Sequence, residues 1–125
     1  MVAIDSSTLI AYFQGDDGRD VELFERALQS ADLALPPVVV TEVLSDPWLQ
    51  PEFVKLIQAI PIVDVRSGFW QRAAATRARI LSRRLRARLA DTLIAQFCID
   101  HEMPLVTRDR DFRHFARFAD LKLAE

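Results

Sequence analysis

Acidic side chains at five positions have the chemistry to act together: Asp5, Glu42, Asp91, Asp109 and Asp111. Asp5 closes the short apolar run Val2-Ala3-Ile4. Glu42 lies in the otherwise apolar stretch Val38–Leu44. Asp91 heads a helical pattern, three and four residues before Ile94 and Ala95. Asp109 and Asp111 follow the apolar run Leu105-Val106, within Thr107-Arg108-Asp109-Arg110-Asp111-Phe112. Carboxylates crowded into one cleft raise one another's pKa. A divalent cation relieves that conflict, and an all-oxygen ligand set suits Mg2+ or Mn2+. Such a centre activates water and stabilises charge on a phosphoryl oxygen, so phosphodiester hydrolysis is the natural reaction class. Asp5, Glu42, Asp91 and Asp109 are the candidates for metal binding and catalysis, with Asp111 a fifth acid beside them.

Each acid also has an ordinary reading. Asp5, Asp91 and Asp109 each stand ahead of a helical pattern, where an N-cap is a common role. Glu42 alone fits a solvated helix position, and Asp111 fits a surface acid. Ser6, Ser7 and Thr107 fit caps and turns as well as a site. Three independent caps and a solvated glutamate, however, need not fall in this order and spacing.

The elements that would position these acids follow from the hydrophobic pattern. Val2–Ile4 reads as a buried strand. A helix follows from Ser6, with Leu9, Ile10 and Phe13 on one stripe and Gly15 as its stop. Val21–Ser30 is a second helix after an acidic turn, and Leu33–Leu35 a second strand. Val38–Leu44 is rich in β-branched residues, yet Pro37 suits a helix start. A helix is expected there, with Val39, Val43 and Leu44 buried. Another helix spans Pro51–Ala59, and Ile60–Val63 is a third strand candidate. Ser67 is expected to cap a long helix over residues 68–88, whose stripe continues through Leu81, Leu85 and Leu89. Leu89–Glu102 is the helix carrying Asp91. Leu105-Val106 is a strand, 112–118 a short helix, and 121–123 a last strand. Strands alternating with helices, without hairpin turns, predict a parallel α/β sheet covered on both faces. In such sheets ligands bind beyond the carboxyl ends of the strands, where Asp5 and Asp109 converge and helices packed at that edge can add Glu42 and Asp91.

Length and composition bound the reading. A chain of 125 residues, half hydrophobic and 27% charged, fits one globular domain. A lone cysteine, Cys98, on a buried stripe excludes an internal disulfide and fits a reducing compartment. The N-terminus shows no signal-peptide pattern, so a cytoplasmic location is expected. Charge is uneven: residues 1–64 carry net −8 and residues 65–125 net +6. Fourteen of the sixteen bases are arginine, and six of these fall between Arg77 and Arg88. That segment reads either as a solvated helix face or as a contact for RNA phosphates. His101 and His114 have no partner at metal-ligand spacing, and Trp48, Trp70 and the phenylalanines read as packing residues. No GxGxxG or GxxxxGK[ST] loop is present, so a nucleotide cofactor is not supported.

Four segments together resemble the PIN domain family, and among its members the VapC-type ribonuclease toxins of prokaryotic toxin–antitoxin pairs. They are Val2-Ala3-Ile4-Asp5-Ser6-Ser7, Thr41-Glu42-Val43-Leu44, Ala90-Asp91-Thr92-Leu93-Ile94-Ala95 and Leu105–Phe112. The resemblance covers nearly the whole chain and implies a single PIN-like domain over residues 1–125. It implies a three-layer α/β/α sandwich around a central parallel sheet, with a Mg2+ or Mn2+ site. The family's four acids match Asp5, Glu42, Asp91 and Asp109. Asp111 matches a frequent additional acid, and Thr107 a hydroxyl often near the metal. The resemblance further implies homodimers and a cognate antitoxin that covers the site.

The expectation is therefore a metal-dependent endoribonuclease. One alternative is a non-catalytic RNA-binding module, which would bind RNA in a salt-sensitive way and leave it intact. The other is a receiver-like signalling domain, with Asp64 as phosphate acceptor and Lys122 as a late cation.

Overall fold

The computed structural model describes residues 1–125. Three short strands, β1 (Val2–Ile4), β2 (Leu33–Ala34) and β3 (Leu105–Val106), form a parallel sheet in the order β2-β1-β3. Val2 and Ala3 pair with Leu33 and Ala34. On the other side Ala3 and Ile4 pair with Leu105 and Val106. Two further segments extend the sheet by single bridges only, Ile62 to Leu35 and Leu123 to Leu105. The expected strands at 60–63 and 121–123 are thus reduced to single contacts at the two sheet edges. Pro61 has no N–H to donate, which limits the ladder on the first of them.

Seven helices connect and cover the strands: α1 (Ser6–Phe13), α2 (Arg19–Gln29), α3 (Pro37–Leu44), α4 (Pro51–Ala59), α5 (Phe69–Ser82), α6 (Leu89–His101) and α7 (Phe112–Phe118). From β1 the chain moves one way to β2, then returns past β1 to β3. Parallel crossovers are right-handed almost without exception, so the two connections cover opposite faces of the sheet. The point where the strand order reverses lies between β1 and β3, and that is where open α/β sheets place ligands. Val38–Leu44 is helical as expected, with Pro37 in its first turn and Val39 and Val43 buried. Leu44 is exposed, because it falls past the buried arc.

The core is aliphatic and aromatic. Phe24, Phe69, Phe97, Phe112 and Phe115 are fully buried among Ile4, Leu9, Leu35, Ile80, Ile94 and Leu105. Cys98 is buried as expected, and burial pushes its thiol up. Trp48 and Trp70 do not pack inside; they are 87% and 61% exposed.

The long helix predicted over 68–88 is broken. Helix α5 ends at Ser82, Arg84 has positive φ (59°), and α6 starts at Leu89. The break lets α6 fold back antiparallel on α5, so that Arg72 pairs with Asp100 and Thr76 with Gln96. Leu81 and Leu89, which continued the apolar stripe, are exposed as a result. The start also differs: Gly68, not Ser67, is the N-cap, at φ 80°, a left-handed conformation that favours glycine. A Cβ on Gly68 would sit 2.6 Å from Arg72 Nη1. Gly68→Ala is therefore expected to cost about 1–2 kcal/mol and to lower the melting temperature by about 3–6 °C in a calorimetric scan.

Candidate active site

Strand β1 ends directly in Asp5, which is 3% exposed and caps α1 by accepting from the Ser7 amide at 3.4 Å. The adjacent β3 strand ends in Thr107, and pairing of the two strands makes these exits neighbours, with Asp5 N–H donating to the Val106 carbonyl. Ser7 Oγ donates to Asp5 Oδ2 at 2.6 Å, and Thr107 Oγ1 donates to the same oxygen at 2.8 Å. Thr107 Oγ1 in turn accepts from the Asp109 amide at 3.0 Å, and Asp109 Oδ1 from the Asp111 amide at 2.9 Å. A chain of hydrogen bonds thus runs from Asp5 through Thr107 to Asp109 and Asp111. It fixes the backbone turn that leads into α7.

Asp91 comes from a different element. It lies in the first turn of α6 and is not its cap; that position is Arg88, which makes no side-chain cap bond. Carboxylate oxygens of Asp91, Asp109 and Asp111 lie within 4.8 Å of one another. Asp91 Oδ2 is buried and has no hydrogen-bond partner. A buried acceptor left without a donor costs free energy. Partial burial pushes the Asp91 carboxyl up to about 6; the charges of Asp109, Asp5 and Glu42 add to this, and Arg88 opposes it.

Glu42 enters from α3, which packs against both α1 and α6. It is exposed and accepts from Ser6 Oγ at 3.1 Å. Its carboxyl is raised by partial desolvation and by the charge of Asp5, against the Ser6 bond. Asp91 feels the charges of Asp109, Asp5 and Glu42, and Glu42 that of Asp5. Asp91, Asp109 and Asp111 form the tight group, with Asp5 and Glu42 flanking it. An orphaned buried oxygen within an all-oxygen set is what a hard divalent cation would satisfy.

The residues of the receiver-like alternative are not brought together. The Asp64 segment borders β2 at one sheet edge and the Lys122 segment borders β3 at the other. His101 is a structural residue: its Nε2 bonds the Asp64 carbonyl and Arg66 donates to its Nδ1.

Sequence reasoning missed the ion pair that anchors the site's loop. Arg108 donates through Nε and Nη2 to both oxygens of Asp20, at 2.9 and 3.0 Å, and through Nη2 to the Asp17 carbonyl. Thr8 also donates to Asp20. Partial burial would raise the Asp20 carboxyl, but the bonds from Arg108 and Thr8 and the charge of Arg108 outweigh it and hold it low. The acidic turn at 16–20 was the available signal, but nothing local marks Arg108 as its partner 88 residues away.

The sequence matches the family model described as PIN domain over residues 2–118. Two curated relatives are a VapC ribonuclease of Mycobacterium bovis and Ribonuclease VapC11 of Mycobacterium tuberculosis. Each is 30% identical over 132 aligned positions, covering 99% of this chain and 98% of the relative. Among solved structures, VapBC2 from Rickettsia felis bound to a promoter DNA fragment superposes with TM-score 0.77 at 17% identity, covering 99% of this chain and 98% of that one. FitAcB from Neisseria gonorrhoeae superposes with TM-score 0.74 at 18% identity, covering 100% and 97%. These two likenesses concern the fold.

Folding raises the Asp91 pKa, so without metal the folded state binds more protons between about pH 4 and 6. This group's contribution is present at low pH and is lost as pH rises through that window. Asp91→Asn is accordingly expected to stabilise the metal-free protein at pH 8 by about 1–2 kcal/mol, with little effect near pH 4, as read by thermal melting. Arg108→Met removes the charged partner of Asp20, leaving it the Thr8 bond, and is expected to cost about 1–3 kcal/mol, read as a lower urea midpoint.

Proposed function

Because the chain belongs to the PIN domain family, we propose that it is a Mg2+- or Mn2+-dependent endoribonuclease and the toxin of a toxin–antitoxin pair. The observation that carries this is the buried, unpartnered Asp91 Oδ2 beside Asp109 and Asp111. The cation, when bound, would lower the pKa of a coordinated water and offset charge on a phosphoryl oxygen.

The chain's own residues supply the rest. Asp91, Asp109 and Asp111 would hold the cation, and Asp5 would add a carboxylate from β1. Ser7 and Thr107 orient Asp5 by donating three hydrogen bonds to its Oδ2. Glu42, with its raised carboxyl and Ser6 holding it, orients the attacking water and takes its proton. Relatives named VapC ribonuclease and a neighbour named VapBC2 support an RNA substrate and a protein antitoxin. A homodimer and a cytoplasmic setting belong to the same reading.

The test is cleavage of single-stranded RNA with Mg2+ or Mn2+, with and without chelator. Wild type should cut only with metal, and Asp5→Asn and Asp91→Asn should each lose at least about 100-fold in rate. Chelator-resistant cleavage, or full activity of Asp5→Asn, would sink the mechanism. Salt-sensitive binding that leaves RNA intact in metal would favour the non-catalytic RNA-binding module.

A further inference from the structure

The six arginines from Arg77 to Arg88 do not act as one basic patch. Three are engaged in the fold: Arg77 Nε donates to the Ala87 carbonyl at 2.8 Å, Arg79 donates to the Phe118 carbonyl, and the Arg83 guanidinium lies 4.0 Å over the Phe118 ring. Arg84 is exposed on the turn with positive φ. The remaining two reach the acidic cleft. Arg86 Nη1 stands 3.7 Å from Asp111 Oδ2, and Arg88, at the head of α6, places its charge near Asp91.

The backbone under these two is held. Ala87, between them, is 4% exposed, its carbonyl is taken by Arg77, and half-buried Leu85 packs on the core. The Arg86 side chain, in contrast, is 61% exposed, and its one partner lies beyond hydrogen-bond distance. An anchored backbone therefore presents a guanidinium whose donors are unused. Arginine's planar fork matches a phosphate oxygen pair. A polyanion entering a cleft of carboxylates also needs cations at the rim to offset repulsion.

We propose that Arg86, seconded by Arg88, is the phosphate clamp of this cleft: it leaves Asp111 and binds a backbone phosphate of the RNA beside the cleaved bond. This inference rests on the ribonuclease reading. It differs from simple charge balance, in which Arg86 only neutralises Asp111. It also differs from a general basic field, in which any of the exposed arginines would serve equally.

The experiment measures binding of a 5′-labelled single-stranded RNA oligonucleotide by fluorescence anisotropy, over a range of salt concentrations. All chains carry Asp91→Asn, so that the RNA stays intact. Adding Arg86→Gln is expected to weaken binding by at least about fivefold and to reduce the log–log salt slope by about one. Arg84→Gln, which removes the same charge from the turn, should change affinity by less than about twofold. Arg86→Lys, which keeps the charge and protects against a folding artefact, should fall between the two. Equal losses for Arg84→Gln and Arg86→Gln would overturn the clamp in favour of a general field. Unchanged RNA affinity, together with tighter Mn2+ binding by calorimetry in an Arg86→Gln chain that keeps Asp91, would overturn it in favour of charge balance. If the parent neither binds RNA nor, with Asp91 restored, cleaves it, the ribonuclease reading itself fails.

Discussion

Parallel pairing of β1 with β3 puts two chain exits side by side, Asp5 from one strand and Thr107 from the other. The remainder of the site is arranged around that adjacency. Thr107 can bond Asp5 only because the strands are hydrogen-bonded neighbours, and the turn through Asp109 and Asp111 is fixed by bonds that start from Thr107. Helix α6 then delivers Asp91 from the opposite connection, and α3 delivers Glu42. Very short strands suffice because their work is to set register at one edge, while the helices bury most of the core.

Clustering acids opposes folding, and the protein meets this opposition by several means. Asp5 is stabilised by hydroxyl and amide donors. Asp91 has none on Oδ2, and its burial, with the charges of Asp109, Asp5 and Glu42 added, raises its pKa. The Asp20–Arg108 pair acts from outside, tying the acidic turn before α2 to the loop that bears Thr107 and Asp109. The arginine-bearing turn before α6 closes the other side. The site is thus held by cross-links between segments distant in sequence, not by any one rigid element.

Much of this was legible in the sequence because the signals were local. Val2-Ala3-Ile4-Asp5 and Leu105-Val106-Thr107 read as strands with polar exits, and Pro37 marked a helix start where β-branched residues argued otherwise. What could not be read was decided by tertiary geometry. The stripe Leu81, Leu85, Leu89 kept its period, yet the helix breaks because α6 must turn back on α5. Trp48 and Trp70 have core-like side chains and lie outside. Asp111 could not be told from a surface acid, because its place depends on the turn that Asp109 accepts. Arg108 looked like one basic residue among many until its partner across the fold was known.

The carboxylates of the cleft are drawn from residues 5 through 111 of a 125-residue chain. Neither the β1–β3 ladder nor the acid group can exist until residues 105–111 have been made. Contacts of such sequence separation are slow to form and come late in folding. A chain still being synthesised therefore has Asp5 but nowhere to place it, and holds no assembled centre beside the RNA-rich machinery that makes it. The acidic site is therefore complete only once residues 105–111 have emerged and paired with the strand that ends in Asp5.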